Sequence, residues 1–318
     1  MFGKSKIFFE TNPFNYMMKQ FFLSLFALLT LSSVHAQDLT SAQADTLAAD
    51  SVLNVIAWFS KNDTLVYTEH AQNFHAENGD TTLVSDETRR FRIIVADSTS
   101  RGFLLSFEPL SFHTTDSLVS NALKNEMAKR FLGIRILFST DELGHVKQIE
   151  NHQEVRREVL SRCDSMVNEI YKENPLLYGQ MSKPDMLKKV HKMLDETYGS
   201  RQRLLEKMEA LTLLFSNHGK CFPVGVSKGE KGNTRTRLDV TLGKMDDEDD
   251  TATDDDYQIA SQVYQITSDV ESHFVVIATD YFSDGWPRYC FFKMEDDNAG
   301  LSEITSIEIE WEYRGWEY

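Results

Sequence analysis

The chain is short of positive charge: 33 Lys and Arg stand against 49 Asp and Glu, for a net charge of -16. A surface this acidic repels phosphate backbones, so no nucleic-acid partner is expected. It also disfavours electrostatic adhesion to anionic lipid. Beyond residue 36 no apolar run approaches 18 residues, so no helical transmembrane segment is expected there. Signatures of chemistry are missing too. There is no Gly-x-Ser-x-Gly and no His-Glu-x-x-His. Gly219, Gly225, Gly229 and Gly232 are spread over a basic loop with Lys220, Lys228 and Lys231, which is neither a phosphate-binding loop nor a dinucleotide fingerprint. No cofactor is expected.

Cysteine is scarce and odd in number: Cys163, Cys221 and Cys290. Cys163 falls at helical spacing with Val155, Val159, Met166 and Ile170, the pattern of a small core hydrophobe. Cys221 and Cys290 flank predicted strands and form the candidate disulfide pair; three buried free thiols are the alternative. Histidines show no ligand spacing at 145, 152, 191, 218 and 273. His70 and His75, with Glu69 and Glu77 nearby, could bring two imidazoles together at a strand end, although an ordinary loop rich in polar residues is the simpler reading.

What is present begins with an address. Met18-Lys19-Gln20 opens a basic segment that runs into Phe21 to Leu29 and then into the small residues Ser32 to Ala36. That order is the order of a secretory signal peptide, with cleavage before Gln37. Residues 1–17 fit a mis-assigned start, with Met17 or Met18 as initiator, or an unusually long leader. Removing residues 1–36 takes away three Lys/Arg and one Asp/Glu, moving the charge from -16 to -18. The chain is therefore expected to be exported, to the periplasm or beyond the cell.

Residues 37–50 are small and polar and predict a flexible leader. Residues 51–318 are expected to form a single domain, helical at about 114–217. Strands are predicted at Val52 to Phe59, Thr64 to Phe74, Arg90 to Ala96 and Phe103 to Leu110. Phe91, Ile93 and Val95 alternate with Arg90 and Arg92, giving one core face and one wetter face. A hairpin turning at Asp141 to Gly144 follows. Helices are predicted from about Gln153 to Tyr171, after Ser182 with Pro184 in the first turn, and from Leu204 to Phe215. Five more strands close the chain. In the last, Ile307, Ile309, Trp311 and Tyr313 alternate with Glu308, Glu310, Glu312 and Arg314. This order predicts an α+β fold: antiparallel sheet before and after a central helical segment, with a curved half-barrel covered by helices as one form.

The run from Asp246 to Asp256 holds eight carboxylates in eleven residues. Asp246, Asp247, Asp249 and Asp250 are the weak candidates for calcium, but they lack the fixed ligand positions and glycine turn of a calcium loop, and a solvated loop is the simpler reading. Asp followed by Ser or Thr and then, mostly, a small or aliphatic residue occurs eight times. This resembles the acceptor motif for general O-glycosylation in some envelope-rich Gram-negative bacteria. It nominates Thr46, Ser51, Thr64 and Ser117. Asp-Ser and Asp-Thr are also good turn and cap pairs, which is the competing reading.

The leader, the Asp-Glu-Leu-Gly hairpin followed by Asn and a helix, and the strands–helices–strands order resemble uncharacterised exported bacterial proteins with no assigned activity. That resemblance implies no mechanism. The leading expectation is non-catalytic: binding a small apolar ligand or an envelope protein partner, in a pocket lined by the plentiful Phe and Leu. The alternatives are an envelope hydrolase with an unrecognised site, or a structural or assembly component.

Overall fold

The computed structural model describes residues 52–77, 79–115, 125–173, 181–243, 256–268, 271–298 and 300–316. The leader, Thr46, Ser51, Ser117 and the acidic run at Asp246, Asp247, Asp249 and Asp250 lie outside the described residues. Among the described residues thirteen strands are formed: β1 (Val52–Asn54), β2 (Asp63–Glu77), β3 (Asp80–Thr99), β4 (Gly102–Thr114), β5 (Ile136–Thr140), β6 (Val146–Ile149), β7 (Cys221–Pro223), β8 (Gly225–Lys231), β9 (Thr234–Leu242), β10 (Tyr257–Ser268), β11 (Glu271–Tyr281), β12 (Pro287–Asn298) and β13 (Leu301–Trp316). Between β6 and β7 lie α1 (His152–Glu173), α2 (Lys183–Tyr198), α3 (Arg201–Glu206) and α4 (Glu209–Leu214).

The α+β expectation does not hold. Eleven strands form one antiparallel sheet in the order β6-β5-β4-β3-β2-β13-β12-β11-β10-β9-β8. Strands from both ends of the described chain meet at the β2–β13 seam, where Leu301 opposes Glu77 and Ile309 opposes Glu69. The two predicted sheets are thus one, and the protein is predominantly antiparallel β. The reason is non-local: hairpins on either side of the helices can each look complete in sequence, yet a long strand with a free edge is satisfied only by pairing.

The sheet has one buried face. Directly opposed residues share a face in an antiparallel ladder, so Ile136, Phe107, Ile93 and Leu65 form one row, and Ile309, Cys290, Thr279, Ile259 and Val240 another. All nine are buried. α4 packs against β12, α3 against β6 and α1 against β5. The small sheet of β1 and β7 covers Val240, Tyr257, Ile259 and Tyr281 with Val55 and Phe222.

Local chemistry explains the helix ends. Asn151, just before α1, accepts from the Leu137 amide at 2.8 Å and donates to the Arg135 carbonyl at 2.9 Å, tying the helix start to β5. Ser182 caps α2 by accepting from the Asp185 amide, with Pro184 in the first turn. Ser200 caps α3 in the same way. The segment predicted as one helix from Leu204 to Phe215 is broken at Lys207 and Met208 into α3 and α4.

Candidate functional site

One end of the sheet is organised by an extended strap, residues 55–63. Its alternation is sharp: Val55, Ala57 and Phe59 are buried while Trp58 is exposed. The strap's backbone bonds four separate segments. Val55 donates to Lys220, Ala57 to Leu143, Trp58 to Asp284 and Asn62 to Val95, at 2.9–3.1 Å. Beneath it Phe59 stacks on Trp286, ring centroids 4.0 Å apart. Asp63 is 2 % exposed. Its carboxylate accepts from the Ser60 amide at 2.8 Å and the Trp286 indole at 3.3 Å.

His218 sits in the same aromatic nest, 5.1 Å from the Phe215 ring and 5.8 Å from those of Phe59 and Tyr281. Its Nε2 is 2.9 Å from the Gly285 carbonyl. Burial pushes its pKa down to about 4, outweighing the pull of the backbone at Gly285 and Phe215 toward the charged form. A neutral histidine fixed this way is a structural tie. It has aromatic rings around it, the wrong surroundings for a proton shuttle.

A second polar cluster interrupts the buried face. Arg89 binds Glu69 at 2.7 Å and also pairs with Glu87; its guanidinium lies 6.0 Å from the Phe112 ring. Glu209, at the start of α4, adds a third carboxylate to its field. Burial works against the Arg89 charge, but Glu69, Glu87 and Glu209 together hold its pKa above the ordinary value. For Glu209 burial wins over Arg89, and its pKa is raised. Tyr198 is pushed up to about 12, by burial first. Glu209 thus brings the start of α4 into the electrostatic field of the β2–β3 pair.

The opposite, outer face of the sheet carries an apolar row. Leu83 of β3, Phe74 of β2, Ile304 of β13, Glu295 of β12, Phe274 of β11 and Tyr264 of β10 stand directly opposite one another in succession. Glu295 is paired with Lys293 at 3.1 Å. Phe74, Ile304, Phe274 and Tyr264 are half-buried, and Leu83 is 47 % exposed. At the same end of the sheet Val84, Ile266 and Leu301 are exposed as well. The next row inward is mixed, with Gln72, Ser306, Lys293, Val276 and Gln262.

Neither of two cavities on the molecule is the apolar chamber expected from sequence. The larger, about 500 Å³, is an open groove along α1 lined by Gln153, Arg156, Arg157, Asp164 and other mostly polar groups. The smaller, about 10 Å³ among Phe131, Val155, Val159 and Leu194, has room for no more than a water.

Other sequence candidates scatter. His70 and His75 lie five residues apart on one strand and so point to opposite faces; Glu69 is taken by Arg89. Among the described residues no group of three or more His, Cys, Asp or Glu is placed to hold a metal. All three cysteines are free, so the Cys221–Cys290 pair is not formed in this structure. Cys290 is buried in β12, its thiol pushed up to about 12 by burial, while Cys221 is exposed on β7 beside Asn54. Thr64 is 3 % exposed and donates to the Asn62 carbonyl at 3.2 Å, which leaves its hydroxyl inaccessible to sugar transfer in the folded chain. Asp63-Thr64 is therefore a turn pair here.

The Arg89 cluster had a sequence signal. Extending the core-face alternation Phe91, Ile93, Val95 back by one step puts Arg89 on the buried face, where a cation demands partners. The Asp63–Trp286 and His218–Gly285 contacts span 223 and 67 positions and had none.

No protein-family model matches the chain, and no curated protein matches it. Solved structures show slight likenesses. A lipovitellin structure titled for lipid–protein interactions superposes with TM-score 0.42 at 7% identity, over 82% of this chain and 26% of that one. The chain thus spans about a quarter of that lipovitellin. A Bacteroides fragilis protein described as exported, with a YmcC-like fold, gives TM-score 0.22 at 6% identity over 82% and 100%. Ail, the attachment invasion locus protein of Yersinia pestis, gives 0.16 at 4% identity over 80% and 100%. Likenesses this slight assign neither a fold nor an activity.

Proposed function

We propose that the protein is an exported, non-catalytic binding component of the bacterial envelope, mature from Gln37, that holds an apolar partner against the outer face of its sheet. The observation that carries this reading is the row Leu83–Phe74–Ile304–Phe274–Tyr264, which crosses six strands with only the paired Glu295 within it. Apolar side chains gathered in one row on an outer face are a surface for an apolar ligand or protein.

Native mass spectrometry of protein purified from the envelope tests it. Wild type should retain a lipid-like or protein partner that Ile304→Asp and Phe274→Asp lose by about tenfold or more, since each removes one apolar contact and buries a charge against the partner. A wild type that carries nothing, or variants that retain the partner unchanged, would sink the reading.

A further inference from the structure

The sheet has two edges, and they are treated differently. At β6 the edge is four residues long and α3 packs against it. At β8 the edge runs for seven residues, and among the described strands only β9 pairs with it. An unpaired edge of this length presents a row of amides and carbonyls to any complementary strand.

The side chains of β8 contain a local conflict. Glu230 lies opposite Arg235 and is bridged to it at 3.4 Å. Arg237 bonds Asp239 at 3.1 Å. Lys228 lies directly opposite Arg237, cation facing cation, and has no carboxylate partner among the described residues. Like charges placed directly across a ladder are destabilising. The free side of the strand is where a carboxylate for Lys228 can enter.

We propose that β8 is a pairing edge for a second copy of this chain. An antiparallel, two-fold pairing centred on Gly229 places Lys228 of one copy opposite Glu230 of the other, twice. It sets Gly229 against Gly229, where no side chains collide, and Ser227 against Lys231. The strand Gly225-Val226-Ser227-Lys228-Gly229-Glu230-Lys231 is thus self-complementary in charge in this register. A register centred on Lys228 would put the two lysines face to face, so the charges also select against slippage. An isologous contact of this kind closes on itself and stops at a dimer. Its small area makes the association reversible. It requires nothing of the outer-face row and stands apart from the binding function proposed above.

Sedimentation equilibrium of the full exported chain, from about 5 to 500 µM, reads the result. Wild type should shift from monomer mass toward dimer mass as concentration rises. Lys228→Glu should weaken dimerisation about tenfold or more, yet hold or raise the melting temperature, because it relieves the clash with Arg237. Glu230→Lys should weaken it from the other side, and the double swap K228E/E230K should restore it to within a few-fold. A monomer at every concentration overturns the proposal. So does a dimer indifferent to the single swaps, or one that the double swap fails to rescue.

Discussion

Acid should loosen this protein through one histidine. His218 is 1 % exposed, faces aromatic rings, and is held at the Gly285 carbonyl. Its pKa is depressed from an ordinary 6.5 to about 4, by burial above all. The folded state therefore binds a proton less readily than the unfolded chain. The stabilisation from keeping His218 neutral is complete above about pH 6.5. It is lost as pH falls from there toward 4, where the unfolded state gains a proton that the folded state refuses. A shift of this size amounts to about 3 kcal/mol, a large share of a typical fold's margin. Urea denaturation at pH 7.5, 6, 5 and 4.5 measures it, with His218→Gln as reference, since glutamine keeps a donor for Gly285 and does not titrate. Carboxylates that protonate in the same window do so in both proteins and cancel. The variant starts less stable at pH 7.5, and the gap should close by about 2–3 kcal/mol on descending to pH 4.5. Parallel curves, or a His218 resonance, assigned by its loss in His218→Gln, that titrates near 6.5 in the folded protein, would refute the reasoning.

Two further substitutions probe the ties at either end of the helices. Gly144 has φ +93°, and a Cβ there would lie 2.6 Å from both the Ala57 Cβ and the His218 ring; Gly144→Ala should cost about 2–5 kcal/mol by combining left-handed strain with overpacking, read as a lowered urea midpoint at unchanged slope. Arg89→Met leaves Glu69 and Glu87 without their cation; because Arg89 keeps about a third of its side chain in solvent, the loss should be about 2–3 kcal/mol, below the figure for a fully buried pair, and adding Glu69→Gln should recover part of it in thermal melts.

How much of this was legible can be judged from β13. Ile307 and Ile309 are buried and Glu308 and Glu310 are not, as their alternation indicates. The same alternation placed Tyr313 in the core, yet it is 56 % exposed. A register shift between Trp311 and Tyr313 against β2 turns it outward. A bulge of this kind depends on the partner strand and leaves no local trace. The fold class failed for a related reason. Val66, Leu65 and Tyr67 announce a strand, but nothing near them states that the neighbour is β13 on one side as well as β3 on the other. For the candidate site, the aromatic and aliphatic members of the outer row were each visible as strand residues. Their alignment came only with the registers of five ladders.

The β2–β13 seam has a consequence for how the molecule comes into being. Thr68 and Glu312, which meet across it, are 244 positions apart. Every other ladder in the eleven-stranded sheet joins strands that follow one another along the chain. The sheet is therefore two local meanders and a single long closure. Loop closure over that distance has to be met before the seam rewards it, which makes it the slow step. Until β13 is available, β2 waits with an open edge that includes Leu65, Val66 and Tyr67. A circular permutant opened between the helices and joined at the present ends would turn the seam into a hairpin and remove the wait.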